Sequence, residues 1–169
     1  MKKIIFTIFT TMALSASNFT VGLNTQNYQD SEGGGISLLY KFSDNLLFET
    51  SYNEFYIRGV KNNATIQSWN KFNTQRLGIR YYLKSYSNDE IKLFTSIGIE
   101  HVFKNTDLSS KTPALNTYGL LGLDFKINKN FDITFTFGSA GKGEKADKLE
   151  TSPNYAHGFN TIIGIEYKF

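Results

Sequence analysis

The last eleven residues of the chain, Phe159 to Phe169, alternate in polarity strictly enough to fix the backbone that carries them. Phe159, Thr161, Ile163, Ile165, Tyr167 and Phe169 fall on one side; Gly158, Asn160, Ile162, Gly164, Glu166 and Lys168 fall on the other. A period of two puts successive side chains on opposite faces of a β-strand. This strand runs to the final residue and ends on an aromatic ring, where the ends of soluble domains usually fray. Such a terminus needs a neighbouring strand and an apolar medium for one face.

The same alternation predicts eight strands: Phe19–Asn24, Gly35–Phe42, Leu46–Ile57, Phe72–Lys84, Ile91–Lys104, Asn116–Ile127, Phe131–Ser139 and Ala156–Phe169. Series such as Ile36/Leu38/Tyr40/Phe42, Leu77/Ile79/Tyr81/Leu83 and Phe131/Ile133/Phe135/Phe137 carry the pattern. Two Pro, 14 Gly and an aromatic share of 15% agree with strand rather than helix. Short polar turns (43–45, 85–90, 128–130) rotate with longer connections at 25–34, 58–71, 105–115 and 140–155. This rotation puts every long connection at one end of an up-and-down barrel and both termini at the other.

Height along the strands gives an independent check. A strand rising ~3.3 Å per residue at a tilt near 40° climbs roughly 2.6 Å per residue, so a ~25 Å apolar band lasts about nine or ten residues. Counted from the short turns, the apolar face turns polar near that height, at Glu54, Gln75, His101 and Thr117. Aromatics gather at both edges: Phe42, Phe48, Tyr81, Phe125, Phe131 and Phe169 below, and Tyr56, Trp69, Phe72, Phe103 and Phe159 above. Such belts suit the two interfaces of a membrane. Phe55 and Ile57 break the pattern by pointing inward, which calls for a bulge or an extension above the band. A soluble barrel would reverse the faces, but the polar face here is mostly Gly, Ser, Thr and Asn rather than the Lys and Glu of a solvated surface.

The beginning of the chain has the layout of an export signal. Met1-Lys2-Lys3 precedes an apolar run from Ile4 to Leu14 and the small residues Ser15-Ala16-Ser17. That run is too short for a spanning helix, so residues 1–17 are expected to be cleaved and 18–169 to form one domain. The absence of Cys removes disulfides and thiolate metal sites, and no metal or cofactor is expected. A net charge of +3, spread along the chain, leaves no footprint for nucleic acid.

The eight alternating segments and the terminal Tyr167-Lys168-Phe169 resemble the small eight-stranded outer-membrane barrels of the OmpX and OmpA-barrel type. The resemblance spans the mature chain and is architectural. It implies an all-β, antiparallel transmembrane barrel in the bacterial outer membrane, existing as a monomer. It also implies insertion by the outer-membrane assembly machinery, which reads a C-terminal strand bearing residues such as Tyr167 and Phe169. The family includes adhesion, serum-resistance and membrane-stabilising members and a few lipid A-modifying enzymes. With no domain after Phe169, an OmpA-like cell-wall tether is not expected.

An eight-stranded barrel has room inside only for side chains. The inward positions include Glu49, Asn53, Arg76, Arg80, Glu100, Asp124 and Glu166, with Lys41, Lys92, Lys126, Asp132 and Lys168 near the lower rim. By height, Glu49, Arg80, Asp124 and Glu166 form a lower layer, and Arg76 with Glu100 an upper one. Buried charges persist when paired, so an ion-pair network filling the lumen is expected. Three carboxylates against one Arg require rim lysines to reach up, or one carboxyl to be protonated. Inward Gly78, Gly98, Gly122 and Gly164 make space for large neighbours.

The alternatives to a structural or surface-interaction role are a narrow pore and a lipid A-modifying enzyme. A catalytic site needs a nucleophile and base in reach of one another. His157-Gly158-Phe159-Asn160 lacks the Ser two residues after the His that the lipid A deacylase motif would require, so no catalytic residue is assigned. Arg58, Lys61, Lys71, Lys104 and Lys111, just above the band, are candidate contacts for lipopolysaccharide phosphates. The loops are the candidate surface for a host or other surface partner, and the mixed charges of 142–150 suit a solvated loop.

Overall fold

A computed structural model of the chain describes residues 18–61, 67–111, 115–141 and 143–169. The expected export segment at 1–17 lies outside the described residues, as does Lys142. The strands are β1 Phe19–Tyr28, β2 Ser31–Lys41, β3 Leu46–Val60, β4 Gln67–Tyr82, β5 Ile91–Val102, β6 Leu115–Lys126 and β7 Phe131–Ala140. A small hairpin of β8 Glu144–Lys145 and β9 Asn154–Tyr155 follows, and then β10 Gly158–Lys168. β1 to β7 and β10 form a closed antiparallel barrel in which each strand pairs with its neighbours in the chain, and β10 closes on β1 from Thr20–Lys168 to Tyr28–Asn160. Within the closed ring every strand has a partner on both sides.

All eight expected strands are present, several of them longer than expected. The segment 25–34, read as a long connection, is strand on both sides of a turn at Gln29 and Asp30. The segment 58–71 is likewise mostly strand, with β3 reaching Val60 and β4 starting at Gln67. The reason is physical. Above the apolar band both faces can carry polar residues, so hydrophobic alternation fades while the backbone ladder continues. The β3–β4 ribbon therefore stands higher than the β4–β5 pairing, which stops at Thr74–Val102. Of the two explanations offered for inward Phe55 and Ile57, the extension holds. Register runs unbroken from Leu46–Tyr81 to Val60–Gln67.

Polarity is distributed inside out. Leu23, Ile36, Ile97, Ile163 and Ile165 are each more than half exposed on the outer face, whereas Arg76, Arg80, Glu100, Asp124 and Glu166 are buried in the lumen. A water-soluble barrel would lose free energy in both places, since apolar surface favours leaving water and buried charge costs several kcal/mol unless paired. An apolar solvent around the wall removes the first conflict. Phe42, Phe48, Tyr81, Phe125, Phe131 and Phe169 are exposed at the lower edge, and Tyr56, Trp69, Phe103 and Phe159 at the upper. Phe72 does not join them. It shares the inward parity of Thr74 and Arg76, is buried, and stacks on Phe55 at 5.2 Å.

Candidate functional site

The lumen is built in layers. Nearest the termini, Leu39, Leu47, Tyr82 and Phe94 form a small apolar cluster. Gly122 makes room for it, because a Cβ there would lie 2.2 Å from the Phe94 ring. Above it lies the lower charged layer. The Arg80 guanidinium rests on the Phe94 ring at 4.2 Å and reaches Glu166 at 2.9 Å, Glu49 at 3.4 Å and Asp124 at 3.5 Å. The carboxylates draw further donors from neutral groups. Tyr82 donates to Asp124 at 2.5 Å, Thr134 to Asp124 at 2.7 Å and Ser96 to Glu49 at 3.2 Å.

Reaching up by the rim lysines was one of the two ways expected to balance this layer, and the contacts of Lys41, Lys168 and Lys92 lie elsewhere. Lys41 pairs with Asp44 in the adjoining turn, Lys168 pairs with Asp132, and Lys92 lies over the Tyr82 ring at 5.5 Å. A lysine near the mouth keeps more of its hydration by staying there than by entering the barrel. Arg80, with its planar fork of five donors, serves all three carboxylates at once.

Between the charged layers lies a cavity of about 30 Å³, lined by Ser37, Ser51, Ser96 and Thr136 as well as by charged groups. That is space for a water or two. The upper layer follows. Arg76 and Glu100 are direct cross-strand partners in the β4–β5 register and meet at 3.0 Å. Tyr28 joins them, donating to Glu100 at 2.8 and 2.7 Å and accepting from Arg76 Nη2 at 2.5 Å. Tyr118 adds a ring face 5.2 Å from the guanidinium, and its hydroxyl fills the space left open by Gly78. Beside this layer, the Gln26 amide donates to the Asn24 side-chain oxygen at 2.7 Å and to that of Asn53 at 2.6 Å. Tyr28 and Gln26 fall in the segment read as a connection. Extending the inward parity of Thr20, Gly22 and Asn24 would have found both.

The far end is closed by an apolar plug. Phe55, Phe72, Ile57 and Val102 from the wall pack with Leu108, Ala146, Leu149, Tyr155 and Ala156 from the outer connections. Tyr155 meets Phe72 edge-on at 4.9 Å, and burial pushes its phenol up to about 12. The outer connections are also tied together. Asp147 accepts from the Ser110 amide at 2.8 Å and from its hydroxyl, Lys148 donates to the Thr106 carbonyl, and Lys61 bridges to Leu149. The two bonds from Ser110 hold the Asp147 carboxyl below the usual carboxylate range. Nothing in the sequence pattern of 105–111 or 143–157 marks these loop residues as core.

The cationic collar is more committed than expected. Lys71 pairs with Glu54, which also accepts from Tyr56, and Arg58 lies over the Trp69 ring at 5.9 Å. Lys104 and Lys111 are exposed. His157 donates from Nδ1 to the Gly141 carbonyl, and His101 packs edge-on against Phe103 at 5.0 Å. At the other end Phe169 packs edge-on against Tyr167 at 4.9 Å, and its amide donates to the Phe19 carbonyl.

No family model matches the sequence, and no curated protein does. The fold, however, is shared by solved membrane barrels. The N-terminal β-barrel domain of OprF from Pseudomonas aeruginosa superposes with a TM-score of 0.59 at 15% identity, over 89% of this chain and 96% of that one. A de novo designed transmembrane β-barrel gives 0.59 at 14% identity, over 90% and 96%. Ail, the attachment invasion locus protein of Yersinia pestis, gives 0.51 at 15% identity, over 89% and 96%. The presence of a designed protein among them makes the limit plain. This fold can be specified by pattern alone, and function must be argued from the surfaces it presents.

Proposed function

From the fold it shares with small outer-membrane barrels, we propose that this protein resides in the bacterial outer membrane as a monomer. It acts there as a structural or surface-interaction protein, through the rim and loops at the end opposite its termini. The observation that carries this reading is the filled lumen. A charged layer around Arg80, a second around Arg76 and an apolar plug at Phe55 and Phe72 lie in series along the axis. Such a barrel offers a solute no continuous path and a substrate no internal cleft, so its useful surface is external. The attachment role in the name of Ail gives a precedent for that use of the fold.

In this setting Arg58, Lys61, Lys71, Lys104 and Lys111 stand at the level of lipopolysaccharide headgroups. Tyr167 and Phe169 present the terminal strand to the assembly machinery. Outer-membrane fractionation, with gel mobility compared before and after boiling, tests the location; recovery as a soluble periplasmic protein would end the reading. Planar-bilayer recording tests the closed lumen. We expect no steady single-channel current, and a large steady current would make the protein a pore.

A further inference from the structure

A groove of about 310 Å³ opens beside the β1–β2 turn, at the outer end of the barrel. Its wall is the outward face of the tall β3–β4 ribbon. Two cross-strand rows build it, Glu32–Tyr56–Lys71 below and Arg58–Trp69 above. Asp30 completes the opposite side.

Three features of this groove stand apart from the packing of the lumen. Trp69 and Tyr56 expose their rings at a height where the outward face has already turned polar. Arg58 stacks on Trp69 and makes no ion pair among the described residues. Asp30 and Glu32 line the same groove and also make none among the described residues.

We propose that this groove is a saccharide-binding site, with Trp69 and Tyr56 as the platform and Asp30, Glu32 and Arg58 as the hydroxyl-reading groups. An aromatic ring offers an apolar face to the C–H side of a pyranose. Ionised carboxylates accept from adjacent hydroxyls, and the guanidinium fork donates two parallel bonds to sugar oxygens. The volume lies at the small end of the ~300–1,000 Å³ typical of ligand pockets, which suits one or two sugar rings. Charge separates this ligand from the phosphate expected at Lys61, Lys104 and Lys111, since Arg58 shares its groove with carboxylates. One guanidinium faces two carboxylates, so a phosphate placed here would meet net repulsion, whereas a neutral sugar meets acceptors and donors together. The site rests on the surface-facing reading above, because its height puts it among the sugars of a membrane glycolipid or of an apposed cell surface.

Trp69 is the only tryptophan in the chain, so its emission reports on the groove without a label. The folded barrel in detergent micelles is titrated with lipid-free, dephosphorylated core oligosaccharide released from lipopolysaccharide and, separately, with neutral mammalian-type oligosaccharides. A saturable change is expected with one set, and the set that responds identifies the source of the sugar. Asp30→Asn and Glu32→Gln should each weaken binding about tenfold while leaving the boiled-versus-unboiled gel shift intact. Calorimetry on Trp69→Ala should show binding lost. The proposal is overturned if neither oligosaccharide gives a saturable response, or if Trp69→Ala binds as well as the original. It is also overturned if dextran sulfate alone responds and the response fades with salt, which would make the groove an anion site. Since fractionation and gel shift are read separately, failure here leaves the membrane reading standing.

Discussion

Removing the carboxylate of Glu100 puts the lumen architecture to its hardest test. Glu100 is fully buried and accepts from Arg76 Nε at 3.0 Å and from the Tyr28 hydroxyl at 2.8 and 2.7 Å. In Glu100→Ala the guanidinium keeps the Tyr28 oxygen at 2.5 Å and two ring faces, at 5.7 and 5.2 Å. Those contacts exist already and compensate for nothing new. Stranding one member of a buried pair costs about 3–5 kcal/mol. Water entering the vacated space from the neighbouring cavity would recover part of this, so about 3 kcal/mol is expected. Arg76→Ala leaves the carboxylate with Tyr28 alone and should cost a similar amount. The double change strands no charge, and should cost about 2–3 kcal/mol less than the sum of the two single changes. Urea titrations of the folded barrel in micelles, read by Trp69 emission and by gel mobility, supply the four stabilities. Additivity within about 0.5 kcal/mol would refute the argument, since it would mean that the two groups do not depend on one another.

Three further outcomes follow from the geometry. Leu123→Arg puts a charge on the lipid face and should cost ~2–4 kcal/mol, whereas Thr134→Arg adds a cation beside three carboxylates; the reverse order of stabilities in the same titration would exchange inside for outside. Deleting Phe169 removes one edge-on ring contact and one backbone bond, so it should lower the yield of folded barrel in cells far more than refolding in detergent; equal losses in both would argue against an assembly signal. Because Asp147 is held below its ordinary value of 3.8, the clasp it forms with Ser110 contributes fully above that pH and is lost only as pH falls through the lowered value. The Ser110 amide nitrogen shift should therefore stay flat from neutral pH down to the ordinary aspartate range and move below it; a midpoint above 3.8 would contradict the contact.

The eight strands were legible because a lipid-facing wall imposes a strict constraint. Every second residue must be apolar over nine or ten positions, and Leu77/Ile79/Tyr81 or Phe131/Ile133/Phe135 can hardly be read otherwise. The inward charges were legible by parity alone, and Arg76 opposite Glu100 followed from matching heights. What escaped was whatever lay above the band. There the outward face no longer has to be apolar, so Tyr28 and Gln26 looked like loop and Phe72 was counted among the interfacial rings. The plug residues Leu108, Leu149 and Tyr155 escaped for another reason. They come from irregular chain, where no period exists to say which side chain turns inward.

Connections between strands are ordinarily the places where sequence drifts and where foreign peptides can be inserted. Here the longest of them contributes Ala146, Leu149, Tyr155 and Ala156 to the interior, so an insertion between β7 and β10 would pull the stopper from the barrel's mouth. The tight turn at Gln29 and Asp30 is free of that duty, since both residues are exposed. Yet Asp30 borders the groove beside Trp69, and lengthening the turn would reshape it. Sequence variation thus has two unlike outlets on this molecule. One would be limited by folding and the other by recognition.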